Sequence, residues 1–408
     1  MPIDDTSRPA PLPLPPAPPP QIAPPTKMPE TGRRPGRRRR LVAVGVAVLV
    51  LAAAFGVYSF MGQPAYARAS DALRAGRCGD AVAGFSRVTG FYRYGAGGKR
   101  SEARRGIGEC DRFLAAQRIG AGDFAGTTAA YRAFLARYPQ GPLPSIARTR
   151  MAVAYSGWGD QQVREGDYEG GIAKYATATQ QFPGTAGASK ASSSAARLLS
   201  EGRAKAPIDR TACTSVAILS ALADDGLDAP DARRPLPTAY FHCARDEHRR
   251  SLDDEAKADL TTLIHGFRGS ALVPKAKALL VDVRVAIYRA GDTGKLGQPQ
   301  RIGTTTAGTV IVEIQNSSPD RLEILFSGPG SRSVIIGRCS SCQVYARGSE
   351  PAFCPNAGPT EQIALTPGTY DVVLHDPDKA STRDAFGLWT LESGAHYFNC
   401  QLLLKNPA

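Results

Sequence analysis

The sequence predicts a multidomain chain: a transmembrane helix, an all-α superhelix of repeated helix pairs, then an all-β antiparallel sandwich. Three observations carry this. Leu41 to Met61 is an unbroken run without a charged side chain. Glycine followed by an aromatic residue at +9 and another at +16 recurs between residues 76 and 182. Beyond Gly291 the hydrophobic pattern changes to short alternating runs separated by Gly, Pro, Ser or Asp.

The chain has 408 residues, enough for two or three folded units. Its N-terminal segment, 1–40, contains "RPAPLPLPPAPPPQIAPPTKMP". Proline cannot donate hydrogen bonds and nothing apolar here is periodic, so this stretch is expected to be a disordered, polyproline II-like cytoplasmic tail. Its PxxP spacings could dock into an aromatic groove.

Residues 41–61 form the expected transmembrane helix. Twenty-one residues at 1.5 Å each span ~31 Å, close to the ~30 Å hydrocarbon core. Backbone groups in lipid must pair within their own segment, which demands a helix. Arg37 to Arg40 precede the run directly, with Arg33 and Arg34 upstream. Positive flanks stay inside, so the N-terminus is expected in the cytoplasm and the C-terminal domains outside it. A cleavable signal is the competing reading, because Ala65-Tyr66-Ala67 has a small-x-small pattern. The 40-residue leader and the long apolar run favour a retained anchor. Of the net charge of +13, segment 1–40 carries +5 and the remainder +8. The arginine cluster is thereby accounted for by topology, and nucleic-acid binding is disfavoured.

Residues 64–290 hold the repeats. Gly76, Gly122 and Gly166 are followed at +9 by Phe85, Tyr131 and Tyr175, and at +16 by Tyr92, Tyr138 and Phe182. A fainter copy starts near Ser251, with Leu260 at +9 and Phe267 at +16. Glycine ends one helix where a positive φ is convenient, and a second helix then buries its aromatic and alanine stripe. Turns such as Phe182-Pro183-Gly184-Thr185 stop it, and an Ala-rich helix follows. A single such pair cannot bury its apolar face, so pairs must stack. The elements Gly122-Asp123-Phe124…Tyr131 and Gly166-Asp167-Tyr168…Tyr175 resemble tetratricopeptide repeats, as found in exported bacterial envelope proteins. The spacings of 46 and 44 residues depart from that family's usual length. Thr127 and Gly171 also stand where it places alanine. The resemblance implies a superhelix that binds peptides or proteins.

Residues 291–308 read as a linker, and 309–405 as the sandwich. "TVIVEIQN" places Val310, Val312 and Ile314 on one face; "RLEILFSG", "RSVIIG", "QVYA", "EQIAL", "TYDVVLHD", "FGLWTL" and "AHYFNCQLLL" supply further strands. The stretch Ile363 to Leu374 resembles a hairpin of prealbumin-like and carboxypeptidase-regulatory-like sandwiches. Trp389 and Tyr397 are expected in the core.

All eight cysteines follow the apolar run: Cys78, Cys110, Cys213, Cys243, Cys339, Cys342, Cys354 and Cys400. An even number in an exported region points to disulfides, each worth roughly 2–4 kcal/mol. Locality suggests Cys78 with Cys110, Cys213 with Cys243, and the last four stapling the C-terminal module. A four-cysteine zinc site and a redox-active Cys339-Ser-Ser-Cys342 are the alternatives.

Catalytic patterns are absent from the sequence: there is no HExxH, GxSxG, P-loop or strand-linked GxGxxG. Gly95 to Ser101, "GAGGKRS", imitates a phosphate loop but follows no strand. His375-Asp376-Pro377-Asp378 reads as a polar turn in preference to a chelate. Asp253, Asp254 and Glu255 suit the first turn of a helix. The expectation is therefore a membrane-anchored, non-catalytic scaffold without cofactor or metal, binding an envelope or secreted protein. The rivals are a thiol-redox factor using Cys339 and Cys342, and a sandwich receptor for a wall glycan or anionic polymer.

Overall fold

The computed structural model describes residues 37–92, 98–119, 122–346, 351, 353–355, 357–378, 384–402 and 404–405. The expected disordered tail lies outside them as far as residue 36, and so do residues 95–97 of the glycine-rich stretch 95–101.

Helices occupy the first two-thirds of the described chain. They are α1 (Arg37–Arg74), α2 (Cys78–Thr89), α3 (Arg100–Arg118), α4 (Phe124–Arg137), α5 (Leu143–Arg164), α6 (Tyr168–Gln181), α7 (Ala186–Lys205), α8 (Asp209–Asp224), α9 (Ala229–Arg233), α10 (Leu236–Arg249), α11 (Asp253–Gly266) and α12 (Val273–Ala290). Each packs against its successor. One apolar core runs from Ala69 in α1 to Ala239 in α10, and a second joins α10, α11 and α12.

The apolar run and the first helix of the folded region are one element. α1 continues through Pro64 to Arg74, 38 residues in all. Among the described residues it is the one helix long and apolar enough to cross a membrane. Leu49, Leu51 and Phe60 on it are 71%, 68% and 80% exposed, so no protein surface covers them. Ala69 and Ala72, farther along, are buried against α2 and α3.

The repeat pattern has a backbone cause. Gly76, Gly122 and Gly166 have φ of +71°, +113° and +88°. Ser251, at the same place in the fourth copy, has φ +58° without the freedom of glycine. Asp123 and Asp167 then cap the next helix, accepting from the amides of Gly126 at 2.7 Å and Gly170 at 2.9 Å. Phe85, Tyr131, Tyr175 and Leu260, the +9 residues, are all buried.

Strands follow: β1 (Gly294–Lys295), β2 (Gln300–Thr304), β3 (Val310–Asn316), β4 (Leu322–Ser327), β5 (Arg332–Ile336), β6 (Tyr345–Ala346), β7 (Thr360–Leu365), β8 (Gly368–His375), β9 (Ala385–Leu391), β10 (Ala395–Gln401) and β11 (Leu404–Lys405). One sheet has the order β1-β9-β8-β4-β5 and another β2-β10-β3-β7, with β6 and β11 as a separate pair. The two larger sheets share a core that includes Val310, Val312, Ile314, Phe326, Tyr370, Trp389 and Tyr397.

Three features differ from the sequence reading. The sheets are mixed: β10 runs parallel to β3, β1 to β9, and β11 to β6. The cause is non-local, since β10 inserts between β2 and β3, which local pattern would have paired as a hairpin. Residues 291–308, expected as a linker, contribute β1 and β2 to the sheets. The strand–turn–strand from Ile363 to Leu374 is no hairpin, because β7 pairs with β3 and β8 with β4 and β9. The turn at Pro367 and Gly368, where φ is +147°, carries the chain from one sheet to the other.

The helical and β regions are packed together through α12. Val281 and Val285 meet Leu325 and Val373 on the outer face of the first sheet. Arg284 donates two 2.7 Å hydrogen bonds to the buried Glu323 carboxylate, and Ser333 adds a third. Burial alone would push the Glu323 carboxyl up, but Arg284 and Ser333 hold it below the usual range. Asp282 accepts from the hydroxyls of Ser327 and Ser331.

Candidate functional site

The spacing between neighbouring helix pairs is uneven, and one gap forms a cleft. α5 packs directly on α7 but stands away from α3. The cleft left between α3 and α5 is floored by α4 and encloses about 270 Å³. Ala116, Gln117 and Ile119 of α3 line one wall, and Arg150, Val153 and Ala154 of α5 the other. Phe124, Thr127 and Tyr131 form the floor.

Its lining is mainly apolar, with one cation, Arg150. Val153 is 48% exposed, unusual for valine in the middle of a packed helix. The Arg150 guanidinium lies 6.0 Å from the Phe113 ring centre, a cation–π distance that leaves its outer edge toward solvent. Burial pushes the Tyr131 phenol up, and Arg150 partly offsets this. Arg132 donates to the Tyr155 hydroxyl at 2.7 Å, bracing α4 against α5. From Lys99 to Arg164 the sequence has eleven Lys or Arg against five Asp or Glu, a net +6. Residues 291–408 have nine against eleven, a net −2. The positive charge of the chain beyond α1 thus falls mostly in the segment that supplies the cleft walls, and Arg150 is the cation that lines the cleft itself, which can hold an apolar side chain beside a carboxylate.

The next junction is closed by contrast. Asp160 of α5 accepts from Tyr175 of α6 at 2.7 Å and from Ser194 of α7 at 3.1 Å, and pairs with Lys190 of α7 at 2.8 Å. Partial burial opposes ionisation there, but Lys190 and Tyr175 keep the Asp160 carboxyl below its ordinary range. Burial and the bond to Asp160 push the Tyr175 phenol well up.

The eight cysteines fall into four pairs. Cys78–Cys110 joins α2 to α3, and Cys213–Cys243 joins α8 to α10 across the proline-rich break that contains α9. Cys339–Cys342 closes a turn, and Cys354–Cys400 ties a loop to β10. The four C-terminal cysteines are therefore two separate disulfides and not a zinc site. Cys339 and Cys342 lie on no helix N-terminus, the usual source of a lowered thiol pKa. The metal-spaced group among the described residues is Cys213, Cys243 and Glu247, and both its sulfurs are in the disulfide.

The other singled-out residues are dispersed. Tyr131 lines the cleft, whereas Tyr175 serves the closed junction. His375 contacts Asp384 at 2.8 Å, while Asp378 binds Arg321 at 2.6 Å, so the two ends of the His-Asp-Pro-Asp stretch face different partners. Asp253, Asp254 and Glu255 do open α11. Arg150, Val153 and Asp160 were not signalled by any motif. The small residues Gly187 and Ala188, which let α7 approach α5, were the legible trace of the uneven spacing. No protein-family model matches the chain. No curated protein matches it either.

Proposed function

We propose that this chain is a single-pass, membrane-anchored, non-catalytic scaffold of a bacterial envelope, with tetratricopeptide-like helix pairs that hold a protein partner at the membrane surface. The continuity of α1 carries this reading, because the apolar span and the first helix of the folded region are one element. Whatever docks on the helix pairs is then held within a few nanometres of the bilayer. The arginines before Leu41 favour an N-terminus in the cytoplasm and folded regions outside it, by the tendency of positive flanks to stay inside. The cleft between α3 and α5 is the docking site on this reading, and its occupant is a segment of the partner that combines an apolar side chain with Asp or Glu. The disulfides and the α12–sheet junction keep the platform rigid.

The test is site-specific photo-crosslinking in intact cells. A photoreactive residue at Val153 should capture a discrete protein, and Arg150→Glu should reduce the yield severalfold. The same group at Leu388, exposed on the β region, should not capture that species. Equal capture at both positions, or none at Val153, would refute the cleft as the docking site.

A further inference from the structure

The corner between α2 and α3 lies beside the apolar part of α1. Tyr58 donates a hydrogen bond to the backbone carbonyl of Phe91. Its ring lies 5.8 Å from that of Phe91 and 5.7 Å from that of Tyr92. Phe91 and Tyr92 meet edge to face at 4.9 Å. Yet Phe91 remains 71% exposed, an anomaly for a phenylalanine in water. Tyr58 sits three residues inside the end of the uncharged run, ~4–5 Å below Met61 along the helix. That level is the boundary between acyl chains and headgroups if α1 spans a bilayer.

Charge and geometry agree with this depth. Arg87 at the end of α2, Lys99 and Arg100 at the start of α3 are exposed and flank the aromatic pair in sequence. Aromatic rings backed by cations are the composition of a membrane interface. Just above, Tyr66 of α1 donates to Glu102 at 2.6 Å, and Lys99 binds the same carboxylate at 2.9 Å. The corner therefore grips α1 on both sides of Pro64. A proline within a helix removes the bond to the carbonyl four residues back and makes a hinge. Contacts at Tyr58 and Tyr66 straddle that hinge.

We propose that Phe91 and Tyr92, with Arg87, Lys99 and Arg100, form a second membrane contact, seated among the phospholipids of the leaflet nearest the helix pairs. It rests on the anchor reading above. One helix leaves a protein free to swivel and tilt; a second contact beside it sets which face the α3–α5 cleft presents.

The full-length chain carrying Phe91→Trp, reconstituted in phosphatidylcholine–phosphatidylglycerol vesicles, tests this. Trp158 and Trp389 give the background measured in the unsubstituted chain. Tryptophan at position 91 should emit at shorter wavelength than in water. Lipids brominated near the carbonyl end of the acyl chain should quench it about twofold or more. A Phe55→Trp control, inside the apolar run, should be quenched by bromines deeper in the chain. Water-like emission at position 91, quenched by iodide and not by lipid, overturns the proposal while the control upholds the anchor. Lack of lipid quenching in the control overturns both. A concentration-dependent blue shift in detergent, without lipid quenching, would make the corner a contact between copies of this chain and also overturns it.

Discussion

The two junctions that flank α5 use the same helix to opposite ends. Toward α7 the approach is so close that a Cβ on Gly187 would lie 2.3 Å from the Ala152 backbone, and the Asp160 hub ties α5, α6 and α7 together. Toward α3 the facing residues are the long side chains of Arg150 and Gln117, which line the cleft from opposite walls. Side-chain size at one contact decides whether neighbouring pairs shut or leave a groove. Shut junctions provide stiffness, and the open one leaves an accessible groove.

The comparison can be broken on its closed side. Gly187→Ala should cost about 3 kcal/mol or force α7 away from α5, since backbone cannot give way as a side chain can. Chemical denaturation of the detergent-solubilised chain measures it, and a cost near zero would mean the close approach is not needed. Asp160→Ala should cost about 2 kcal/mol in the same assay, because Tyr175 and Lys190 lose a shared acceptor. A matching truncation on the open side, Val153→Ala, should cost under ~0.5 kcal/mol. Comparable losses at Asp160 and Val153 would erase the distinction.

A carboxylate elsewhere sharpens it. Asp259 on α11 has no such clasp; burial, helped by the neighbouring Glu247 charge, pushes its carboxyl up to about 7. The folded state then holds a proton that the unfolded state has released. This stabilisation is present below the ordinary carboxylate range and is lost as pH rises toward 7. Asp259→Asn should therefore raise stability at pH 7 by roughly 1–3 kcal/mol and have little effect in acid. Melting curves across that window check it, and a benefit that does not vary with pH would point to packing instead. A small gain is expected at Ser251, where glycine should add about 0.5 kcal/mol by relieving the left-handed backbone, read from the same melting curves.

Much of the architecture was legible because it is local. The +9 and +16 aromatics, the glycines at positive φ and the capping aspartates all act within one or two turns of chain, so spacing reveals them. The close pairs Cys78–Cys110 and Cys213–Cys243 follow from the same locality. The candidate cleft was not legible. Arg150 and Val153 look like ordinary helix positions, and their exposure depends on how far α3 stands from α5.

By itself, then, the sequence determined the apolar run, the order of helices before strands, the repeat period and the inward faces of strands such as Val310 to Ile314. These depend on residue type and periodicity alone. Tertiary structure decided the rest. It merged the apolar run with the first repeat helix, slid β10 between β2 and β3, and sent β7 and β8 to different sheets. It also paired Arg284 with Glu323 and chose which junction beside α5 would stay open. Each of those is a contact between residues far apart in the chain, chosen by which surfaces can be buried together, and no local pattern encodes that choice.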